Sequence, residues 1–313
     1  MKQAYIIIAH NKFEQLKFLI SLLDYKEHDI FIIIDSKVNV EKTTITSLKS
    51  SVIHSNVILV DRVPIYWGSY SQISAEMLGF RYAYNYDNYS MFHLLSGVDL
   101  PLVPADKLFK FFNQNKSKNF LSMVSDEILK SNKVYERVQF RYLFPRFLAR
   151  NIQNKYVRKF VAYYRKLEIK IQRLVKIDCF KKYNMRLGYA SNWLSINQDL
   201  VRIILEEEKN IEKIFKYSIV NDELFIPTIM YKYNLMESLY SSSPITDAPD
   251  DFQGNLRYIN WWDGDPHTWT DSEHDIEQLK RGKALGHKFS RKFDLEKYPN
   301  LKEEILTIIN GTD

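Results

Sequence analysis

The 313-residue sequence has a single cysteine, Cys179. That excludes a disulfide framework and any multi-cysteine metal site, and it suits a reducing compartment. Glycine and proline number nine each, too few for a linker-rich or fibrous chain. No run of about eighteen apolar residues occurs, so a membrane-spanning helix is not expected. The first apolar run, Tyr5-Ile-Ile-Ile-Ala9, is too short for a signal peptide and stops at His10 and Asn11. Signature loops are missing as well. There is no G-x-G-x-x-G after the first strand pattern, no G-x-x-x-x-G-K-[ST] and no G-x-S-x-G, which argues against dinucleotide oxidoreductases, P-loop NTPases and elbow hydrolases.

What is present is a packed globular composition, 45% hydrophobic and 14% aromatic. Tyr5 to Ala9, Ile30 to Ile34 and Val57 to Val60 are β-branched runs, separated by helical patterns over Phe13 to Leu23 and a Lys- and Ser-rich stretch. Strand, helix, strand, helix, strand within sixty residues predicts βαβ units and a parallel sheet. A further buried strand at Met91 to Leu95 ends in Ser96, Gly97, Asp99 and Pro101. Three strands therefore end in polar or acidic residues, His10-Asn11, Asp35 and Asp99, at the edge where open α/β sheets bind ligands.

Between the third and fourth strands, Trp67 and Gly68 precede a helix capped by Ser69 or Ser71, with Ile73, Met77, Phe80 and Tyr84 on one face. Trp67 there either stacks on a base or sugar or acts as a hydrophobic staple. Later, Asn221 reads as the cap of a helix whose first turn holds Asp222 and Glu223, where the dipole favours ionised carboxylates. Pro227, four residues on, would kink that helix and aim Glu223. Asn255 to Trp262 reads as the final strand, and Asp263-Gly264-Asp265, despite its D-x-D form, as a turn after it. Asp271 to Arg281 reads as a helix leading to a basic, aromatic stretch that ends at Asp294.

The charge is unevenly spread. Residues 130 to 186 hold roughly seventeen Lys and Arg against three acids, in a chain whose net charge is only +6, so the remainder is net acidic. Apolar residues recur through that segment at helical intervals. Three uses compete: a solvated helical insertion, a surface for anionic lipid head groups, and a nucleic-acid patch, the last without any recognisable recognition module.

The ordered motifs resemble one family: the core-2/I-branching β-1,6-N-acetylglucosaminyltransferases, grouped with the peptide O-xylosyltransferases in glycosyltransferase family 14. The matching blocks are Tyr5 to Asn11, Phe31 to Asp35, Trp67 to Ser71 with Ala75-Glu76, His93 to Pro101, Gly188 to Ser195, Asn221 to Glu223 and Lys288 to Asp294. The resemblance implies an α/β, GT-A-like fold with a mostly parallel central sheet and a basic helical insertion. Residues 1–129 would form the nucleotide-sugar half, 130–187 the insertion, and 188–313 the acceptor and catalytic half of the same domain.

It implies a UDP-sugar donor, inversion at the anomeric carbon and no divalent metal. By position, Ile8, Asp35 and Trp67 would line the nucleotide pocket, with His10 and Asp99 at the same strand ends. Glu223 matches the catalytic base and Lys292 the diphosphate contact. A second diphosphate arginine has no counterpart, because the corresponding region reads Asp265-Pro-His-Thr-Trp269, and Arg257, Arg281 and Arg291 are the substitutes. GlcNAc is the first donor sugar and xylose the next, with a glycan or lipid-linked glycan as acceptor. Surface polysaccharide synthesis in the cytoplasm, in peripheral contact with an anionic membrane, is the expected setting. A metal-dependent GT-A transferase and a non-enzymatic anionic-surface binder are the alternatives.

Overall fold

A computed structural model describes residues 1–148, 151–243 and 248–311. The first half runs β1 (Lys2–Ala9), α1 (Phe13–Leu22), β2 (His28–Ile34), α2 (Lys42–Lys49), β3 (Asn56–Leu59), α3 (Tyr70–Tyr86), β4 (Tyr89–Ser96), β5 (Leu100–Pro101) and α4 (Ala105–Gln114). The basic segment supplies α5 (Asp126–Ser131), α6 (Glu136–Gln139) and α7 (Lys155–Leu174). The chain then returns through β6 (Ser195–Asn197), α8 (Gln198–Glu206), α9 (Glu208–Phe215), α10 (Phe225–Lys232), β7 (Arg257–Ile259), α11 (Glu273–Ala284), β8 (Phe289–Arg291) and α12 (Leu301–Asn310).

The central sheet has the order β3-β2-β1-β4-β6, parallel except for β6, which pairs antiparallel with β4. This is the α/β architecture with a mostly parallel sheet that the strand runs predict. Strands covered on both faces have no solvent side, so β1, β2 and β4 read as continuous apolar runs rather than alternating ones. Alternation appears only in which core each side chain enters. Ala4, Ile6, Phe31, Ile33, Phe92 and Leu94 face one layer with α3, α8 and α10. Tyr5, Ile7, Ile30, Ile32, Met91 and Leu95 face the other, with α1 and α12.

Ser69 caps α3, accepting from Ser71 N. Gly79 lets that helix lie flush on the sheet, since a Cβ there would come within 2.5 Å of Ile6 Cγ2 and 2.9 Å of Ile33 Cδ1.

A second, three-stranded sheet, β5-β8-β7, was not apparent from the strand patterns. The expected final strand, Asn255 to Trp262, shortens to Arg257–Ile259 and pairs in parallel with β8, drawn from the basic tail. β8 in turn runs antiparallel to β5, just beyond the end of β4, so the tail is brought back to the sheet's carboxyl edge. Helix α12 follows it and buries Leu301, Ile305, Ile308 and Ile309. No helix among the described residues is long and apolar enough to cross a membrane.

Candidate active site

Two corners at the carboxyl edge of the sheet carry the polar residues, and one loop joins them. At the first corner β1 and β2 end together, with Asp35 N donating to Ala9 O at 3.0 Å. Ile8 pairs with Ile33 on one side and Ser96 on the other. The buried Asp35 carboxylate accepts from Lys37 N (3.0 Å) and Ile65 N (3.3 Å) and pairs with Lys37 Nζ at 3.2 Å. Asp35 therefore organises the loop leading to Trp67, whose side chain is 40% exposed. His10 lies close enough to feel Asp35, Lys37 and Lys292. Burial holds its imidazole below the ordinary range, Asp35 opposing and the two lysines reinforcing.

The tail is stitched alongside. Phe293 N donates to Val98 O at 3.0 Å, and Gln15 Nε2 bridges Gly97 O and Phe293 O. Lys12 pairs with Asp294 at 2.5 Å. Trp269 N donates to Lys292 O at 2.9 Å. Asp99 accepts from Ser96 N at 2.9 Å, and its other oxygen faces Arg291 Nε at 3.4 Å. Burial pushes the Asp99 carboxyl up, against Arg291, the Ser96 amide and Arg257. The Arg291 guanidinium in turn lies over the Trp193 ring at 4.5 Å.

The second corner is a carboxylate cluster. Asp222 Oδ2 accepts from Gln72 Nε2 and from Asn192 Nδ2, both at 2.9 Å. Glu76, fully enclosed in α3, lies beside it. Its carboxyl is raised well above the usual range by burial and then by Asp222, with Asn192 opposing. Glu223 is partly exposed, and its Oε2 accepts from Arg137 Nη1 at 2.7 Å. Burial raises both Asp222 and Glu223; the Glu223 charge adds to the rise at Asp222, and Arg137 opposes the rise at Glu223. Asp222 thus has a carboxyl neighbour on either side, and adjacent carboxyls that burial desolvates do not all ionise cheaply.

The turn bearing Glu223 is held by the loop bearing Trp67. Val220 N donates to Gly68 O at 2.7 Å, and Val220 adopts φ +44°, a region a β-branched residue rarely visits. Ser218 Oγ accepts from Asn221 Nδ2 at 3.0 Å, and Ser218 also walls an open groove of about 540 Å³ on the far side, lined by Arg141, Lys182, Lys213 and Lys216.

Several expectations need correction here. Helix α10 begins at Phe225, not at Asn221, and Leu224 precedes it without a side-chain cap. Asn221 spends its amide on Phe215 O and Ser218, while Leu224 N donates to Asn221 O, so Asp222 and Glu223 sit in a turn before the helix. The dipole does not hold them ionised; burial raises both, and the Glu223 charge adds to the rise at Asp222. Pro227 falls in the first turn of α10, where its missing N–H has no helical acceptor, so the proposed kink is absent. Arg257, one of the substitutes for the second diphosphate arginine, is fully buried, donating to Ser195 Oγ and to the carbonyls of Asn255, Leu94 and Leu194, and burial pulls its pKa down to about 9.

Arg281, on α11, pairs with Asp250 in the loop before β7. Asp263-Gly264-Asp265 is a turn closed by Asn260. Among the described residues, no group of three or more His, Cys, Asp or Glu side chains is placed to hold a metal ion.

The residues that sequence reasoning left without a role are Gln72, Glu76, Arg137, Asn192 and Trp193. The run Asp222, Asn192, Trp193, Arg291 connects the two corners: Asn192 bonds Asp222, and its neighbour Trp193 carries Arg291. Glu223 and Lys292 each adjoin one end of it.

A family model described as Core-2/I-Branching enzyme matches residues 3–283. Among curated proteins none matches. Among solved structures, Staphylococcus aureus TarS residues 1–349 shows 11% identity and a TM-score of 0.27 over 40% of this chain and 34% of that one. The chain thus spans about a third of that relative's length. Core-mannan synthase A of Aspergillus fumigatus, in its Mn/GDP form, shows 12% identity and a TM-score of 0.33 over 72% and 71%. Mouse xyloside xylosyltransferase 1 shows 8% identity and a TM-score of 0.34 over 74% and 83%.

Proposed function

This chain belongs to the Core-2/I-branching enzyme family of glycosyltransferases, and on that premise we propose that it moves a sugar from a UDP-sugar to a hydroxyl of a glycan acceptor. GlcNAc is the first donor sugar and xylose the next. The observation that carries the reading is the connected run from the Glu223 turn through Asn192 and Trp193 to Arg291, which links the candidate base to the basic tail that bears Lys292.

In this reading uridine and ribose lie against Ile8, Asp35 and Trp67, with the diphosphate toward Lys292 and the strand ends that carry His10 and Asp99. The acceptor hydroxyl attacks the anomeric carbon as Glu223 takes its proton, and UDP leaves from the opposite face, inverting the centre in one displacement. Charge growing on the departing diphosphate is met by Lys292 rather than by a divalent cation. Arg291 is already partnered by Asp99, so its part is to hold the tail and Trp193 in place. A lipid-linked acceptor in surface polysaccharide synthesis suits the chemistry, at the inner face of a membrane.

UDP release measured over UDP-GlcNAc, UDP-Xyl, UDP-Glc, UDP-Gal and UDP-GalNAc, with and without EDTA, tests this directly. One donor is expected to be hydrolysed with EDTA present, and Glu223→Gln is expected to lower acceptor-stimulated turnover by about 10²- to 10⁴-fold while UDP affinity persists. Strict dependence on manganese would reject the metal-free mechanism, and an active Glu223→Gln would reject the base.

A further inference from the structure

Helix α7 is mounted the wrong way round for a soluble protein. Its buried residues are Glu168 and Gln172, both polar. They fasten the helix to the backbone of the preceding loop: Leu143 N donates to Glu168 Oε1 at 2.9 Å, Arg141 N donates to Gln172 Oε1 at 2.8 Å, and Gln172 Nε2 returns a bond to Arg141 O at 2.8 Å. Arg165 neutralises Glu168 from within the same helix. The apolar stripe faces outward. Tyr156, Phe160, Tyr163, Leu167, Ile171 and Leu174 follow one another at intervals of three and four and so share one side. Tyr156, Phe160, Tyr163 and Leu174 are 82%, 69%, 68% and 73% exposed, far beyond the scattered apolar residues a surface normally carries.

We propose that this face of α7 docks on an anionic lipid bilayer, with the helix lying in the plane of the head groups. The charge pattern selects that occupant. Lys155, Lys159, Lys166 and Lys170 run along one flank of the stripe, again at helical spacing. The one acid of the helix, Glu168, is turned inward and paired, so no carboxylate of α7 opposes a phosphate. A stripe bordered by lysines, with tyrosines at intervals along it, matches the boundary between acyl chains and head groups, where apolar side chains are desolvated and cations meet phosphate. A nucleic acid would engage the lysines and leave the apolar stripe in water. Twenty residues of helix extend about 30 Å, a footprint long enough to fix an orientation. The contact is independent of the transferase reading.

The test is co-sedimentation of the full chain with vesicles containing phosphatidylglycerol, against vesicles of phosphatidylcholine alone, at physiological salt. Binding to the anionic vesicles only is expected. It should weaken by about fivefold for each lysine neutralised in Lys166→Gln and Lys170→Gln, and by more than about tenfold in the triple variant Phe160→Ser, Tyr163→Ser, Leu167→Ser. All these side chains are exposed, so thermal stability and UDP affinity should match the parent chain. The proposal is overturned by binding to neither vesicle, by equal binding to both, or by retention in the triple variant. It is also overturned by a solution dimer that the triple variant dissociates, which would assign the face to a second copy. Vesicle binding by a chain that releases no UDP supports the docking surface and counts only against the transferase reading.

Discussion

Arg137 Nη1 donates to Glu223 Oε2 at 2.7 Å, so a residue of the basic segment pairs with the carboxylate proposed as the base. Arg137 is the cation that opposes the effect of burial on Glu223.

Its removal has a definite sign. Burial already raises the Glu223 pKa, and Arg137→Gln removes the charge that restrains it, so the pKa rises further. A general base works only when deprotonated, and the acid limb of the kcat/KM profile should therefore move to higher pH, with about a tenfold loss at a fixed low pH for each unit moved and recovery on the alkaline side. A pH profile of the variant decides it; a uniform loss at all pH values would mean that Arg137 binds substrate instead.

Glu76 offers a stability test. Its pKa is higher folded than unfolded, so the folded state holds the proton more tightly. Stability from that group is fully present below the ordinary glutamate range and lost as pH rises toward the folded pKa. Glu76→Gln keeps the shape without the charge. Its Tm should exceed that of the parent at neutral pH, by about 2–4 °C if about 1 kcal/mol is gained, and match it in acid. Calorimetry at two pH values suffices.

Asp99 and Arg291 should behave as a buried pair whose halves cannot be separated. Arg291→Met leaves Asp99 enclosed without its cation and should cost about 3–5 kcal/mol, whereas Arg291→Met with Asp99→Asn should recover most of that. Urea denaturation of the four-member cycle measures the coupling, and additive effects would show that the 3.4 Å approach contributes little.

On the proposed reading, Lys292→Ala should weaken UDP binding by about 10- to 100-fold, the effect of losing one charge-assisted contact, and slow transfer further, since the same charge would meet the departing diphosphate. Calorimetric titration with UDP, set beside turnover, separates the two effects.

The parallel sheet was legible because strands buried on both faces leave runs that do not alternate with polar residues, β-branched in β1 and β2 and apolar over Leu94 and Leu95 in β4. The cap at Ser69 was legible because its signal is local. What escaped was set by tertiary contact. β8 is three residues long and exists because it pairs with β7 on one side and β5 on the other, which no window of sequence reveals. The start of α10 was misplaced because Asn221, a good cap by type, spends its amide on Phe215 and Ser218. Arg257 looked like any late arginine until its guanidinium was found among backbone carbonyls. Arg137 was hidden by its company, one cation among seventeen in a segment read as an insertion.

Asp222 receives its two donors from Gln72 and Asn192, 150 and 30 positions away in the chain. Such a junction resists modular engineering. An N-terminal half grafted onto a foreign C-terminal half would carry Gln72 without the Asp222 turn to which it donates. Exchanging specificity between relatives therefore requires residues 72, 76, 137, 192, 222 and 223 to travel as a set, however far apart they are written in the gene.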